Sequence, residues 1–335
     1  MLSKAAAIAM LLLAGAQVCP SVFGQAPPAI LTVDLENMTR YVYDVADPLK
    51  FAIDPGLTTS TTPTNFYSQV LISDIVAVNG QPVKGVQILR ETILRLNPAG
   101  LPGQAISDFG VGAAAADLRW EILNADGSQI GTLVGAGFSG NTAPAPGAPL
   151  AATASTIAIV GGNGAFLGAR GVSGQGMSFA QIRGASITED PSNRRKFGGG
   201  KAQSVIYLIP MERPEIVTSS GIPAVFHSDL SPVTTAKPAK AGEVLIVKAT
   251  GLGPTVPGID PGQPFPADGL RQVNSPVSVT VNGQDAELVN SIGWPGLVNT
   301  YRIDFRVPDG PVGGTMMIQL TAAWITGASV NIPIQ

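Results

Sequence analysis

In the stretch "DLRWEILNADGSQIGTLV", Leu118, Trp120 and Ile122 fall on one side of an extended chain, while Arg119 and Glu121 fall on the other. A side-chain period of two is the mark of a strand with one wet face. Asp126-Gly127 follows, a pair that accepts the positive φ angles of a tight turn between paired strands. The device recurs in "FYSQVLISDIVAVNGQPVKGVQILRETILRL", where Asn79-Gly80 separates two β-rich runs. From about Leu31 to Pro210 the chain reads as successive hairpins, which predicts an antiparallel, all-β unit.

Two Gly/Pro/Ala-rich stretches, "LNPAGLPGQAISDFGVGAAAA" and "GNTAPAPGAPLAATAS", read as long surface loops between strands. "EDPSNRRKFGGGK", Glu189 to Lys201, is the most basic cluster and reads as a solvated hairpin tip, since no helix start follows its glycines. Prolines 210, 214 and 223 sit in a stretch without periodic pattern, so 211–223 is expected to be a linker. Beyond it, "GEVLIVKATGLG", "SPVSVTVNGQDAELV", "NTYRIDFRVP" and "TMMIQLTAAW" read as strands of a second unit, 224–335. Tyr301, Ile303, Phe305 and Val307 alternate there with Arg302, Asp304 and Arg306, which suggests a β-sandwich. A length of 335 residues fits two such domains.

Lys4 followed by the apolar run Ala5 to Ala14 reads as an export signal, too short to span a bilayer. Cleavage after Ala16 or after Gly24 is compatible with the small residues there, and 1–24 is the preferred leader. The expected location is then secreted or periplasmic. Cleavage at Gly24 removes Cys19, the single cysteine, so the mature first unit, 25–210, and its neighbour would hold together without a disulfide. Val18 before Cys19 argues against lipid attachment. A net charge of -3 provides no basic surplus, which makes nucleic acid a poor partner, and no later segment is long and apolar enough for a membrane helix.

"IAIVGGNGAFLGARG", Ile157 to Gly171, invites a dinucleotide reading, but Gly168 falls one place late for G-x-G-x-x-G and the glycine-rich continuation would not hold a helix. Glycines that permit close backbone approach between strands are the better account. Gly161, Gly162, Gly164, Phe166, Gly168, Ala169, Arg170 and Gly171 resemble the G-G-T-G-x-F-x-G-A-R-G segment of dirigent proteins and allene oxide cyclases, with Asn163 at the threonine. That resemblance implies an eight-stranded antiparallel barrel with an apolar cavity, and a homotrimer as is frequent in the family. It carries no active site over, because the family's cavity acids, tyrosine and arginines find no residue-by-residue counterpart. Pro238, Ala239, Gly242, Glu243, the run Thr250 to Pro254, Gly262, Gly283, Phe305, Val307 and Pro308 resemble an uncharacterised C-terminal domain of secreted proteins from Solibacter-type soil bacteria. This implies an immunoglobulin-like sandwich and no chemistry.

Conventional catalytic groups are scarce. A single histidine, His227, excludes multi-histidine metal sites, and no cofactor is expected. Ser228 and Asp229 beside it suggest a triad only superficially, since triads are assembled in space rather than along the chain; a surface position near the domain seam is expected instead. Asp117 and Glu121 are candidate paired carboxylates only as any two acids are. Trp120 on the apolar face of its strand would project into a closed barrel, as core or as a ligand wall. Trp294 and Trp324 belong to the second unit; Trp294, in a "GWPG" turn, either contacts a protein or glycan partner or staples the sandwich edge. The sequence favours a non-catalytic binding or cell-surface assembly protein whose barrel holds a small apolar ligand. Two rivals stay open: a cyclase- or dirigent-like barrel that steers a reactive molecule, which needs charged or phenolic groups facing inward, and a filled, purely structural or adhesive barrel.

Overall fold

The structure is a computed structural model describing residues 28–43, 66–94, 113–139, 156–310 and 313–335. The expected leader 1–24 with both cleavage points, the expected loop 140–155 and most of the expected loop 96–116 lie outside the described residues. Ala113 to Ala116, expected at the end of that loop, instead open a strand, with Ala114 and Ala116 buried.

Eight long strands form the barrel wall of the first unit: β1 Ala29–Tyr43, β2 Phe66–Val78, β3 Lys84–Leu94, β4 Ala113–Leu123, β5 Gln129–Ser139, β6 Thr156–Gly164, β7 Arg170–Ala180 and β8 Gly200–Ile209. Each pairs antiparallel with the next, and β1 pairs with both β2 and β8, so the sheet closes into a barrel. Alternation decides which side chains enter it. Leu118, Trp120 and Ile122 are buried, while Asp117, Arg119 and Glu121 are exposed. Asn79 and Gly80 take positive φ, 48° and 75°, in the β2 hairpin. The Asn79 side chain accepts from the Thr32 amide at 2.7 Å, which ties that turn to β1.

One end of the barrel is closed by the glycine-rich turn between β6 and β7. Phe166 at its tip is 1% exposed and joins the barrel core. A Cβ on Gly162 would lie 2.4 Å from the Phe166 carbonyl oxygen and 2.8 Å from that of Thr132, so only glycine lets the turn fold back this closely. Gly164 and Gly168 hold positive φ, and Arg170 Nη1 donates to the carbonyls of Val160 at 2.6 Å and Ala169 at 3.0 Å. The motif is thus a backbone closure.

The second unit finishes the same end. Its longer strands are β9 Val244–Thr250, β10 Val277–Val281, β11 Gln284–Gly293, β12 Tyr301–Arg306, β13 Gly314–Ala322 and β14 Val330–Ile334. They pair antiparallel in the order β9-β12-β11-β10-β13-β14 around a core that includes Leu245, Val247, Ile303, Phe305 and Ile318. Residues 211–223, read as a linker, contain Glu215–Ile216, which pairs with β9 and buries Ile216 in this core. At the tip after β13, Ala323 and Trp324 adopt left-handed φ of 47° and 63°. Ala323 and Ile325 enter the barrel core, and Trp324 packs on it while its Nε1 donates to Gln81 Oε1 at 2.8 Å. Trp324 therefore serves the barrel as well as its own sheet. The seam also carries Asn124 Nδ2 to the Asn274 carbonyl, 2.6 Å, and Asn274 Nδ2 to the Gln129 carbonyl, 2.8 Å.

Closure at this turn makes different demands on two adjacent glycines. Gly162→Ala should lose about 1–3 kcal/mol from overpacking, whereas Gly161→Ala, whose Cβ would meet nothing nearer than Arg170 Nη1 at 3.9 Å, should stay within about 0.5 kcal/mol of wild type. Equal urea midpoints for the two variants would contradict it.

Candidate functional site

Strand register fixes what faces the barrel lumen, since residues directly opposed in an antiparallel pair share a face. Ser73 lies opposite Gln87, and Gln87 opposite Trp120. Farther from the closed end, Arg40 lies opposite Leu71, Leu71 opposite Leu89, and Leu89 opposite Leu118. Beyond these, Val42, Gln69, Glu91 and Ala116 form another such row. The lumen thus changes character along its length. Toward the closed end it is filled by Leu31, Val33, Ile75, Ile122, Ile130, Phe166 and Leu208; toward the other end it acquires Gln87, Gln69, Glu91 and Arg40.

Gln87 reaches across the lumen, its Nε2 donating to Ser204 Oγ at 3.1 Å. Glu91 is buried and accepts from Gln69 Nε2, its neighbour in register. Three other inward groups keep buried atoms without a hydrogen-bond partner: Arg40 Nε, Ser73 Oγ and Trp120 Nε1. Each such atom costs about 1–3 kcal/mol until something accepts from it. Ser73 and Trp120 flank Gln87 in one row, so two of the three open donors border the same stretch of lumen.

Trp120 is fully buried and packed within the barrel core, with only its Nε1 unsatisfied. Gly161, Gly162, Gly164, Phe166, Gly168 and Arg170 sit in the closing turn, away from these polar rows. Asp117 and Glu121 are both on the exposed outer face, Asp117 opposite Arg90, and do not converge on the lumen. Arg40, Ser73, Gln87 and Glu91 escaped sequence reading. Their strands carry apolar residues on both faces, as with Val86 and Ile88 against Gln87, Leu89 and Glu91, so alternation does not say which face turns inward.

Two expectations about charged groups need correction. The 189–201 segment is not simply a solvated tip: Arg194 is buried and, with Arg195, grips Asp74 on the outer wall. Asp74 accepts from Arg195 Nε at 2.9 Å, Arg195 Nη2 at 2.7 Å and Asn37 Nδ2 at 3.0 Å, as well as from Arg194 Nη2. Burial alone would raise the Asp74 pKa, but the bonds from Arg195, Asn37 and Arg194 outweigh it and hold the carboxyl below its ordinary value. His227 is buried rather than on the surface, with Nδ1 2.6 Å from Glu243 Oε1 and Nε2 3.1 Å from the Lys237 carbonyl. Asp229 turns instead to Ser231 and Lys237, so no triad forms. Trp294 is half-buried beneath Lys248, whose Nζ is 5.9 Å from the ring centroid. No group of three or more potential metal ligands occurs among the described residues.

No family model and no curated protein matches the chain. Among solved structures, a polysaccharide lyase aligns over 92% of this chain at 7% identity with a TM-score of 0.19, and the chain spans 40% of that protein's length. A likeness this distant carries no functional argument.

The ion cluster has a pH signature. Because the folded pKa of Asp74 is lowered, its stabilisation is complete above the ordinary carboxylate range and disappears as pH falls through the folded value. Asp74→Asn should cost about 3 kcal/mol near neutral pH and flatten the acid-side decline of the melting temperature. Melting curves for variant and wild type that stay parallel down to about pH 2 would contradict this.

Proposed function

We propose that the chain is a secreted, two-domain binding protein: a dirigent- or allene-oxide-cyclase-like barrel over 25–210 that takes a small molecule into its lumen, followed by an immunoglobulin-like domain over 224–335. The observation that carries this reading is the set of open buried donors on the lumen face, Arg40 Nε, Ser73 Oγ and Trp120 Nε1. A barrel built only for support gains most from complete apolar layers, because buried polar groups cost free energy unless satisfied. Here the closed half is apolar and the other half offers donors. A guest with an apolar body and an acceptor oxygen suits both halves, which refines the expectation of a purely apolar ligand.

The second reading, a barrel that steers a reactive molecule, draws support from Glu91 and Arg40. They supply inward-facing charge of both signs, the feature that distinguishes such a barrel from a passive container. Trimer formation follows from the barrel's resemblance, a protein or glycan partner for the second domain follows from the Trp294 turn, and both belong to the proposal.

Native and denaturing mass spectrometry of mature protein from the secreting organism tests the shared premise. The native mass should exceed the denatured mass reproducibly, and Arg40→Met should reduce the occupied fraction about tenfold through loss of a charge-assisted hydrogen bond. A bare mass for wild type at every protein concentration would overturn the ligand-holding reading in favour of a structural barrel.

A further inference from the structure

A second recess lies outside the barrel, at the seam between the two units. One cavity of about 430 Å³ is lined by Leu167 from the barrel's closing turn, by Ile259, Asp260, Phe265 and Val298 from the second unit, and by Glu212 between them. A neighbouring cavity of about 490 Å³ shares Glu212 and Asn299 with it and adds Met211. The seam is close-fitting at its floor: Gly253 approaches Ala165 so tightly that a Cβ would lie 3.2 Å from the Ala165 Cα. Volumes of this size suit a small organic ligand.

The lining is apolar and acidic together. Leu167 and Val298, 56% and 48% exposed, line this recess, and Met211, 74% exposed, lines the cavity beside it. Glu212 and Asp260 are exposed at the same place, and among the described residues neither carboxylate has an ion-pair or hydrogen-bond partner. The cation nearest in the lining, Arg213 in the neighbouring cavity, is engaged with the Thr326 carbonyl at 3.0 Å. Negative charge set against low-dielectric walls attracts cations more strongly than the same charge in open water.

We propose that this seam cleft binds a small organic cation with an apolar body, its ammonium group between Glu212 and Asp260 and its hydrocarbon against Leu167 and Val298. The charge pattern weakens binding of a carboxylate-bearing amphiphile and gives a neutral one only the apolar share of the attraction. Because the lining comes from both units, the site exists only in the full chain. It is independent of the lumen and of the reading built on it.

The probe is n-octylammonium, titrated into the full mature chain by calorimetry, with 1-octanol and octanoate as neutral and anionic isosteres. Octylammonium should bind about tenfold more tightly than octanol, octanoate should bind least, and Glu212→Gln with Asp260→Asn should abolish the difference. Raising the salt concentration should weaken octylammonium and leave octanol unchanged. Both substitutions are at exposed positions, and a melting temperature equal to wild type confirms that the variant is folded. Equal affinities for the three probes, no binding of octylammonium, or octylammonium binding that survives the double substitution unchanged would each overturn the proposal, the last by placing the probe elsewhere on the chain.

Discussion

The ladder between the first and last barrel strands is the interaction on which the remainder of the structure depends. Ala29 through Leu35 pair with Leu208 down to Ala202, joining segments about 170 positions apart, and this single pairing converts an open meander into a closed wall. Closure removes both sheet edges and creates an inside. It also brings a loop-closure cost that local hairpins do not, so the apolar layers beneath it, Leu31 and Val33 against Ile206 and Leu208, have to offset that entropy.

Once the wall closes, its two ends are treated differently. The β6–β7 turn folds inward on glycines and plants Phe166 in the floor, and the second unit adds Ala323 and Ile325 beneath it. The left-handed backbone of Ala323 and Trp324 costs about 1–2 kcal/mol per residue; burial of their neighbours and the Trp324 bond to Gln81 offset it. The opposite half of the lumen retains polar side chains that the floor lacks. That asymmetry gives the barrel a packed apolar base and a more polar opposite half, and the seam beneath it forms a separate recess of acidic and apolar character.

The architecture was legible wherever one strand face is wet. Leu118, Trp120 and Ile122 announced their side because Arg119 and Glu121 could only face water, and Asn79-Gly80 and Asp126-Gly127 marked their turns through the φ angles they tolerate. The glycine segment was legible as close packing because its spacing fits no phosphate loop. The lumen's polar groups were hidden in strands that are apolar on both faces. Asp74 and Arg194, 120 positions apart, and His227 with Glu243 across a turn, depend on tertiary approach that no local pattern encodes.

The central claim is that the lumen beside Ser73, Gln87 and Trp120 receives a guest that satisfies open donors. A high-resolution crystal structure of the protein isolated from its native source tests this most directly. The expected result is electron density for a molecule larger than water, with an acceptor oxygen within hydrogen-bond distance of Ser73 Oγ, Trp120 Nε1 or Arg40 Nε. A lumen filled by the chain's own side chains, with those three atoms bonded within the protein, would contradict it.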